Sequence, residues 1–503
     1  MNIESIKIQI LNGKTELPDD VLCKFEDDGR LLLTATKTKI RKVYIKTDIS
    51  FTDKVKVLSD DFERAYGTLG WKCPSEEVMP WYFFAKENGR IYAFGVKNAP
   101  NALCYWKIIH NELYFIADVG SGENPLDFCG NTLEVCTVAT EEYSGDSFEA
   151  ACSFCKKLCN NARIPKAPVY GGNDWYCNYG KNTYSNIISH TKKIAECAEG
   201  LENRPYMVID DGWQLCHHGE YKGEENFNGG PWKYANRKFG DMKKLADEIK
   251  SLDVIPGIWM RPLYTVERFP DKYFMKQDGI KGFLDPSVPE VLDIIREDIK
   301  TIKDWGYKLI KHDFSTFDIF GEWGKEFNEN FTNGVQFADK TKTTAQIIKN
   351  MYQAIRESAG NDVMIIGCNT VSHLSAGYFE IQRTGDDTSG RDFEVTKTMG
   401  VNTLAFRLPQ HNAFYSADAD CVGITTQIDW KKNSEWLDVL AKSGTPLFVS
   451  IEETAYTDEV KSAIKEAFKI ASSNTATATP LDWEENVTPI IWKSAFGTNT
   501  YHW

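Results

Sequence analysis

Carboxylates follow three short apolar runs of this chain, and they could bring acid and base groups together at one site. The runs and the acids after them are Tyr206-Met-Val-Ile-Asp-Asp-Gly-Trp213, Lys308-Leu-Ile-Lys-His-Asp313 and Phe379-Glu-Ile-Gln-Arg-Thr-Gly-Asp-Asp387. In a barrel of parallel strands, the residues just past the carboxyl ends of the strands face a common substrate site. The three stretches therefore predict one site assembled from several strand ends.

Glycoside hydrolysis suits a site that is rich in acids and holds a few cations and tryptophans. It needs two carboxyl groups beside the anomeric carbon, one as nucleophile or base and one as acid. Asp313 suits the nucleophile, because Lys311 lies two residues earlier on the same face of the strand and would keep Asp313 ionised. Asp386 or Asp387 suits the acid, because crowding with other carboxylates raises the pKa of one of them.

A divalent-metal site is the second possibility, since converging carboxylates also bind Mg²⁺. His312-Asp313 resembles a hydrolase metal pair, but adjacent residues of a strand point to opposite faces. We therefore expect no metal ligand and no cofactor, and a metal-dependent hydrolase stays an alternative from another class. A single acid at a strand end is often only a helix N-cap, and this interpretation stays open for Asp418 and Asp420.

Strand and helix patterns alternate over residues 166–475 and predict an α/β fold, a (β/α)8 TIM barrel. Helical periodicity lies between most strands, as in Asp241–Leu252, Pro289–Trp305 and Thr343–Glu357. The predicted strands are Val169–Gly171, Tyr206–Asp210, Val254–Met260, Lys308–Lys311, Val363–Gly367, Phe379–Gln382, Asn402–Phe406 and Leu447–Ile451.

Two further domains flank the predicted barrel. Residues 1–165 contain short strand patterns between turn residues, which predicts an N-terminal antiparallel β-sandwich. Residues 476–503 predict a small C-terminal β element. Asp146 predicts the start of a helix on which Cys152, Cys155 and Cys159 share the apolar face, so we interpret them as buried structural thiols and not as a metal or cluster site.

Composition narrows the classes of partner. The 503 residues carry a formal net charge of −14, which argues against nucleic acid or an anionic membrane surface as a partner. No apolar stretch is long enough to span a bilayer, and no secretory signal precedes the first strand pattern. Thirteen scattered cysteines are typical of reduced thiols, so we expect a cytoplasmic protein. The expected partner is a carbohydrate substrate, because of the acids, cations and tryptophans at the strand ends. A homo-oligomer stays open.

The same three stretches resemble a known family. Val208-Ile-Asp-Asp-Gly-Trp213, Leu309-Ile-Lys-His-Asp313 and Arg383-Thr-Gly-Asp-Asp-Thr388 are similar to the signature stretches of the melibiase-type α-galactosidases and raffinose-synthase-like glycosidases of clan D, which include glycoside hydrolase family 36. Asn173-Asp-Trp175, Gly257-Ile-Trp-Met-Arg261 and Ser416-Ala-Asp-Ala-Asp-Cys421 resemble further barrel motifs of that clan. The resemblance covers roughly residues 165–425.

The resemblance implies a retaining mechanism through a covalent glycosyl-aspartate on Asp313. Members with an Arg-x-x-x-Asp pattern imply Asp387 as the acid/base, four residues after Arg383, and members with a Ser-Asp-Asp or Ser-Asp-Asn pattern imply Asp386. We favour Asp387 because this chain has the arginine. The other implied substrate-binding residues are Asp210 and Asp211 for galactose O4 and O6, Lys311 and Arg383 for hydroxyls near the reacting carbon, and Cys368 at the fifth strand. The rings of Trp175, Trp213 and Trp259 are candidates for stacking on the sugar or for barrel packing, and we favour a ligand platform for Trp175 and Trp213.

Two departures from the family pattern bear on specificity. Asn369-Thr-Val-Ser-His373 replaces a glycine-rich run, and Arg261 stands where many members have an acidic residue. The expected function is a retaining exo-α-galactosidase that hydrolyses terminal α-linked galactose. The alternatives are an α-N-acetylgalactosaminidase, a raffinose-synthase-like transglycosidase, the metal-dependent hydrolase and a non-catalytic sugar-binding barrel. His217-His218 is expected to be a solvated loop.

Overall fold

The first part of the chain is an antiparallel β-sandwich. The computed structural model describes residues 1–10, 13–217, 228–276, 282–475 and 477–503. The sandwich strands are β1 (Ile3–Ile10), β2 (Gly13–Glu16), β3 (Val21–Phe25), β4 (Arg30–Ala35), β5 (Lys42–Ser50), β6 (Lys56–Ser59), β7 (Met79–Pro80), β8 (Tyr82–Glu87), β9 (Arg90–Val96), β10 (Leu103–Ile109), β11 (Glu112–Asp118) and β12 (Thr132–Ser144). One sheet has the order β2-β1-β5-β11-β10-β7, and the other has the order β3-β4-β12-β9-β8-β6.

Two tight turns set the register of the central hairpins. Asn88 and Gly89 join β8 to β9 with φ of 51° and 76°, and His110 and Asn111 join β10 to β11 with φ of 50° and 67°. Two consecutive residues with positive φ match the twist of antiparallel strands, and Asn-Gly is a favoured pair for this turn. Local sequence therefore determines these pairings.

The second part of the chain is a parallel barrel surrounded by helices. Its elements are α1 (Ser147–Leu158), β13 (Tyr170–Asn173), α2 (Trp175–Asn178), α3 (Tyr184–Cys197), β14 (Tyr206–Ile209), β15 (Cys216–His217), β16 (Asn228–Gly229), α4 (Met242–Ser251), β17 (Ile255–Met260), α5 (Pro289–Trp305), β18 (Leu309–His312), α6 (Ser315–Phe320), α7 (Thr344–Ala359), β19 (Met364–Gly367), α8 (Ser372–Ser375), β20 (Ile381–Arg383), α9 (Phe393–Val395), α10 (Thr403–Arg407), β21 (Ser416–Asp418), β22 (Cys421–Ile424), α11 (Trp430–Ser443), β23 (Leu447–Ile451) and α12 (Asp458–Ala471). The strands pair in the order β21-β20-β19-β18-β17-β14-β13-β23-β22. They are almost fully buried, as strands of a parallel sheet covered on both faces should be.

The seventh barrel strand differs from the prediction. Residues Asn402–Phe406 were expected as a strand, but they form most of α10, because a short apolar run fits a buried helix as well as a strand. The seventh position of the barrel is instead occupied by a strand in two pieces, β21 and β22, which are separated by Ala419 and Asp420. β21 pairs with β20, β22 pairs with β23, and the interrupted strand thereby closes the barrel.

The predicted fold class is confirmed, including the C-terminal β element. This element is a three-stranded antiparallel sheet of β24 (Ala478–Pro480), β25 (Ile491–Ser494) and β26 (Gly497–Thr500). The division into domains at 1–165, 166–475 and 476–503 stays a prediction. In the part of the chain that the structure describes, no helix combines the length and the apolar character needed to cross a bilayer.

Residues 60–66, which we call the rim segment, tie the sandwich to the barrel. Ala65 forms a β-bridge with Gly385, in which the Ala65 N–H donates to the Thr384 carbonyl at 2.8 Å. The buried Arg407 guanidinium donates to the Asp60 carboxylate at 2.8 Å and to the Thr384 carbonyl at 3.0 Å. Breaking a buried ion pair by removing one partner costs about 3–5 kcal/mol, so these contacts hold the rim segment firmly on the barrel.

Candidate active site

A cavity of about 270 Å³ opens where the carboxyl ends of the barrel strands meet. It brings together acids, cations and aromatic rings that are far apart in the sequence. The predicted residues that line it are Trp175, Asp210, Asp211, Trp259, Lys311, Asp313, Asp386 and Asp387. The strand-end pattern in the sequence therefore did identify residues that share one cavity.

Asp313 follows β18 and is held on both carboxylate oxygens. The Trp259 indole N–H donates to Oδ2 at 2.9 Å, and the Phe314 backbone N–H donates to Oδ1 at 2.8 Å. Burial alone would raise the pKa of Asp313, but the Lys311 and Arg64 cations and these two hydrogen bonds hold it below its usual value. Phe314 has a φ of 63°, a costly conformation for a bulky residue that directs the chain sharply away after the acid. Asp313 is therefore an oriented, ionised carboxylate.

Lys311 lies two residues before Asp313 and contacts the acid that follows β14. Its ammonium donates to Asp210 Oδ2 at 2.7 Å, and the Asn173 amide donates to the same oxygen at 2.7 Å. The Asp210 N–H in turn donates to Asp174 Oδ1 at 2.7 Å. Strand ends β13, β14 and β18 are thus joined by one buried polar network.

His312, between Lys311 and Asp313, faces away from the cavity. Its ring packs against Tyr352 and Phe379 with centroid distances of 5.9 and 5.5 Å, and burial lowers its pKa to about 3. The strand places adjacent residues on opposite faces, so His312 and Asp313 do not form a metal-binding pair. Within the described ranges, no group of three or more His, Cys, Asp or Glu side chains is arranged to hold a metal ion.

Asp211 is held by two side chains that follow it. Gln214 donates to Asp211 Oδ1 at 2.6 Å, and His217 Nδ1 lies 3.1 Å from the same oxygen. His217 is buried, so the expectation of a solvated loop was wrong for this residue, and its neighbour His218 lies outside the described residues. Sequence alone offered no signal for this contact, because it depends on how the chain turns after β14.

Asp386 and Asp387 are held by different arginines. Arg64 pairs with Asp386 at 2.7 Å and lies 3.9 Å from Asp387, and Arg383 lies 3.2 Å from Asp387. Nearly half of the Asp387 side chain is exposed, 45%, against 30% for Asp386. Burial raises the pKa of Asp387 to about 6. The Arg383 cation lowers this pKa, and the Asp420 carboxylate raises it further. Asp387 therefore combines access to the cavity with a raised pKa, as a proton donor requires.

Arg383 and Cys368 lie in a layer behind the cavity and do not line it, which corrects their expected contact with substrate. Arg383 is 1% exposed and pairs with Asp420 at 2.8 Å. The buried Cys368 thiol lies 3.5 Å from Arg383 and 3.8 Å from Arg64. Asp420 also accepts from the Thr388 N–H at 2.8 Å, so it fixes the turn that carries Asp387 and is not a helix N-cap.

The three predicted tryptophans have different surroundings. Trp175 is partly exposed at the cavity, and Trp259 lies at its wall and donates to Asp313. Trp213 was expected as a platform for sugar, but it is fully buried. Its ring packs against Trp232 at 5.8 Å, and its N–H donates to the Trp259 carbonyl at 2.9 Å. Trp213 therefore supports Trp259 from behind and does not line the cavity.

Arg64 is the most important cavity residue that the sequence analysis missed. It belongs to the rim segment of the sandwich, it is 5% exposed, and its guanidinium lies 5.2 Å from the Trp323 ring. Trp323, Lys325, Asn228 and Phe314 also line the cavity without having been predicted. The dense charge of Asp60-Asp-Phe-Glu-Arg64 was a visible signal, but nothing local showed that this segment reaches the barrel.

The arginine that departs from the family pattern supports the cavity from outside. Arg261 is buried and forms three hydrogen bonds with the Asp318 carboxylate, with N–O distances of 2.6–3.1 Å. Its guanidinium lies 4.2 Å from the Phe314 ring and donates to the side chain of Asn228. Arg261 therefore does not line the cavity, and it instead orients the Asn228 side chain that does.

The segment that replaces the glycine-rich run is a docking surface for the sandwich. The buried Asn369 amide donates to Glu63, and its Oδ1 accepts from the Phe317 N–H at 3.0 Å. His373 Nε2 contacts the Val96 carbonyl at 2.6 Å, and its ring stacks on Trp81 at 5.0 Å. Asn369 thus binds Glu63 of the rim segment, next to Arg64, and His373 binds other residues of the sandwich.

Comparisons with known proteins place this fold among α-galactosidases. An α-galactosidase from Thermus thermophilus, solved with p-nitrophenyl α-D-galactopyranoside, has a TM-score of 0.62 at 14% identity and covers 96% of this chain and 99% of its own. A family 36 α-galactosidase from Geobacillus stearothermophilus has a TM-score of 0.61 at 13% identity, covering 99% of this chain and 80% of its own. The galactosidase domain of an α-galactosidase–sucrose kinase has a TM-score of 0.61 at 17% identity, covering 98% of this chain and 75% of its own.

These likenesses establish the fold and do not extend to the activity, because the identities are low. No protein-family model matches the chain. The resemblance of the three strand-end stretches and the similarity of the fold nevertheless agree, and both concern the same barrel.

Proposed function

We propose that the protein is a retaining exo-α-galactosidase that hydrolyses terminal α-linked galactose by double displacement. The observation that carries this proposal is the pair of carboxyl groups whose pKa values move in opposite directions at one cavity. The pKa of Asp313 is lowered, and that of Asp387 is raised to about 6. Two carboxyl groups whose pKa values are shifted in opposite directions are suited to act as nucleophile and acid.

In the first step, a carboxylate oxygen of Asp313 attacks the anomeric carbon while Asp387 donates its proton to the glycosidic oxygen. The bond to the leaving group breaks, and a covalent glycosyl-Asp313 ester forms. In the second step, Asp387 accepts a proton from a water molecule that attacks the same carbon. The ester bond to Asp313 breaks, and the sugar leaves with its original configuration.

The charged side chains that line the cavity support galactose as the sugar. Asp210, Asp211 and Lys311 present two carboxylates and an ammonium that are already held in place by Asn173 and His217. The family resemblance implies that two such acids bind the O4 and O6 hydroxyls of galactose. The volume of about 270 Å³ suits one terminal sugar, which supports exo action.

A panel of p-nitrophenyl α-glycosides tests the sugar and the reaction class together. We expect kcat/KM for the α-galactoside to exceed that for the α-glucoside and the α-N-acetylgalactosaminide by at least about 100-fold, because buried polar groups reject a sugar that leaves them unpaired. Undiminished turnover after exhaustive chelation would separate this enzyme from a metal-dependent hydrolase. Preference for another sugar, or binding without turnover, would contradict the proposal.

The pH dependence of kcat/KM follows from the two carboxyl groups. The reaction needs Asp387 protonated, so kcat/KM should fall as the pH rises through about 6. It needs Asp313 ionised, so kcat/KM should fall on the acid side only below the usual range of an aspartate. Arg64→Met removes a cation that lowers both pKa values, and both limbs of the pH profile should therefore move to higher pH.

The matched control for this profile is Arg296→Met. Arg296 is a surface residue of α5 that pairs with Asp293 at 2.9 Å, so its removal should leave both limbs in place. Limbs that stay fixed in Arg64→Met, or that move to lower pH, would contradict the assignment of the two carboxyls.

A further inference from the structure

Glu63, in the rim segment, is a buried carboxyl group that the proposed reaction does not use. Both of its oxygens accept hydrogen bonds. The Gly324 N–H donates to Oε1 at 2.8 Å, the Tyr66 hydroxyl donates to the same oxygen, and the Asn369 amide donates to Oε2. A carboxyl group is tolerated inside a protein only when hydrogen bonds satisfy it, and here three donors do so.

The partners of Glu63 come from separate parts of the molecule. Gly324 follows α6 and Asn369 follows β19, whereas Glu63 itself belongs to the sandwich. A Cβ atom on Gly324 would lie 2.5 Å from Glu63 Cγ, well inside the distance of about 3.5–4.0 Å at which carbon atoms pack. The backbone at Gly324 therefore packs directly on Glu63, which fixes where the segment after α6 meets the sandwich.

The segment after α6 carries an aromatic ring to the active-site cavity. Trp323 directly precedes Gly324 and lines the cavity. Its ring stacks on Phe317 at 4.6 Å and lies 5.2 Å from the Arg64 guanidinium. Residues 321–326 are exposed or half-buried, so the hydrogen bond to Glu63 anchors a segment that has few buried contacts of its own.

Trp323 suits a role in binding the sugar more than a role in the chemical step. An aromatic ring at a cavity wall can pack against the apolar face of a sugar ring. The proposed nucleophile, Asp313, is held by the Trp259 side chain and the Phe314 backbone, which belong to the barrel. A displaced Trp323 ring should therefore weaken binding more than it slows the reaction of bound substrate.

We propose that Glu63 is a positioning residue for the active site, and that it acts by holding Trp323 at the cavity wall. The inference rests on the proposed function. Glu63 does not line the cavity, and its effect passes through the backbone of Gly324. A residue of the sandwich thereby controls part of the affinity of the barrel for the terminal sugar.

Glu63→Gln tests this role, because a glutamine amide has one acceptor oxygen where the carboxyl group has two. Whichever way the amide turns, its NH2 group meets the N–H donor of Gly324 or of Asn369. With p-nitrophenyl α-galactoside we expect KM to rise at least about fivefold and kcat to change less than about twofold. Trp323→Ala should also raise KM, and adding Glu63→Gln to it should have no further effect, since both changes act through one ring.

A paired exchange separates positioning from a general loss of stability. Glu63→Gln combined with Asn369→Asp moves the carboxylate to the other side of the same hydrogen bond. The introduced amide can then donate to the introduced carboxylate and keep its oxygen for Gly324 and Tyr66. The introduced carboxylate can still accept from the Phe317 N–H, as Asn369 Oδ1 does at 3.0 Å. We expect KM of this double variant to return to within about twofold of the wild-type value.

Glu322→Gln is the matched control, because it makes the same substitution at an exposed residue next to Trp323, and its KM and kcat should equal those of the wild type. A loss confined to kcat, an unchanged KM in Glu63→Gln, a rise in KM that persists in the Trp323→Ala background, or a KM that the paired exchange does not restore would overturn the inference while the proposed function stands.

Gly324→Ala makes the same test from the other side if Glu63→Gln fails to fold. The added Cβ atom would push the backbone at Gly324 away from Glu63, so KM should again rise, and again without further effect in the Trp323→Ala background. An unchanged KM in Gly324→Ala would overturn the inference. If the wild-type protein turned over no α-galactoside, the proposed function would be wrong, and this inference would fall with it.

Discussion

Asp313→Ala should lower kcat for an aryl α-galactoside on the order of 10⁴-fold, which corresponds to a rise of about 5.4 kcal/mol in the activation free energy. The reason is that the neighbouring charged groups are engaged in ion pairs: Lys311 pairs with Asp210, and Asp386 pairs with Arg64. The loss should not reflect unfolding, because alanine leaves the Trp259 N–H and Phe314 N–H at the edge of a polar cavity. Steady-state kinetics measures the loss of kcat, and circular dichroism of each variant checks that the protein is folded.

Azide provides a sharper check of the same variant. In Asp313→Ala, azide can enter the space left by the carboxylate and attack the anomeric carbon from the side opposite the leaving group, giving β-galactosyl azide. The control is Asp304→Asn, an exposed acid in α5, which should keep wild-type rates and form no azide product. Wild-type turnover in Asp313→Ala, or rescue that yields the α-azide, would show that Asp313 is not the nucleophile.

Asp387→Ala should produce a loss that depends on the leaving group. For stachyose, whose leaving alkoxide needs a proton, we expect kcat/KM to fall about 10³- to 10⁴-fold, near the upper range of general acid catalysis. For a dinitrophenyl galactoside, whose leaving group needs no proton, we expect a loss of less than about tenfold. Azide should now attack the glycosyl-Asp313 ester and give α-galactosyl azide, the opposite anomer to that from Asp313→Ala.

Asp386→Asn is the matched comparison for the acid, because it changes the neighbouring carboxyl group. Asp386 is held by Arg64 and contributes to the raised pKa of Asp387, so its neutralisation should lower that pKa and move the alkaline limb of the pH profile to lower pH. We expect no marked dependence on the leaving group in this variant. If that dependence and the α-azide appeared in Asp386→Asn instead of Asp387→Ala, the roles of the two acids would be exchanged.

The acids of the site could be found from the sequence because their placement is local. Asp210, Asp313 and Asp387 each follow a short apolar strand or its turn, and parallel strands that end together place such residues at one rim. The same period of two placed Lys311 on the face of Asp313 and His312 on the opposite face. Local patterns did not predict the position of the Trp213 ring, because the turn after β14 directs this ring into the core.

The seventh strand shows where local patterns fail. Leu404-Ala-Phe406 reads equally well as a strand and as a buried helix, and its neighbours in three dimensions favour α10. The true strand is divided at Ala419 and Asp420, which hides its length, although Asp418 and Asp420 had already been noticed as acids.

The sequence by itself determined the barrel, the sandwich and the carboxylates at the strand ends, because strand alternation, turn residues and helix caps act over a few neighbouring residues. Only the tertiary structure placed Arg64 beside Asp386 and Cys368. Those contacts join residues about 300 positions apart, and they depend on how the sandwich packs against the barrel. No local pattern encodes that packing, since its free energy comes from surfaces that exist only once the sandwich and the barrel have formed.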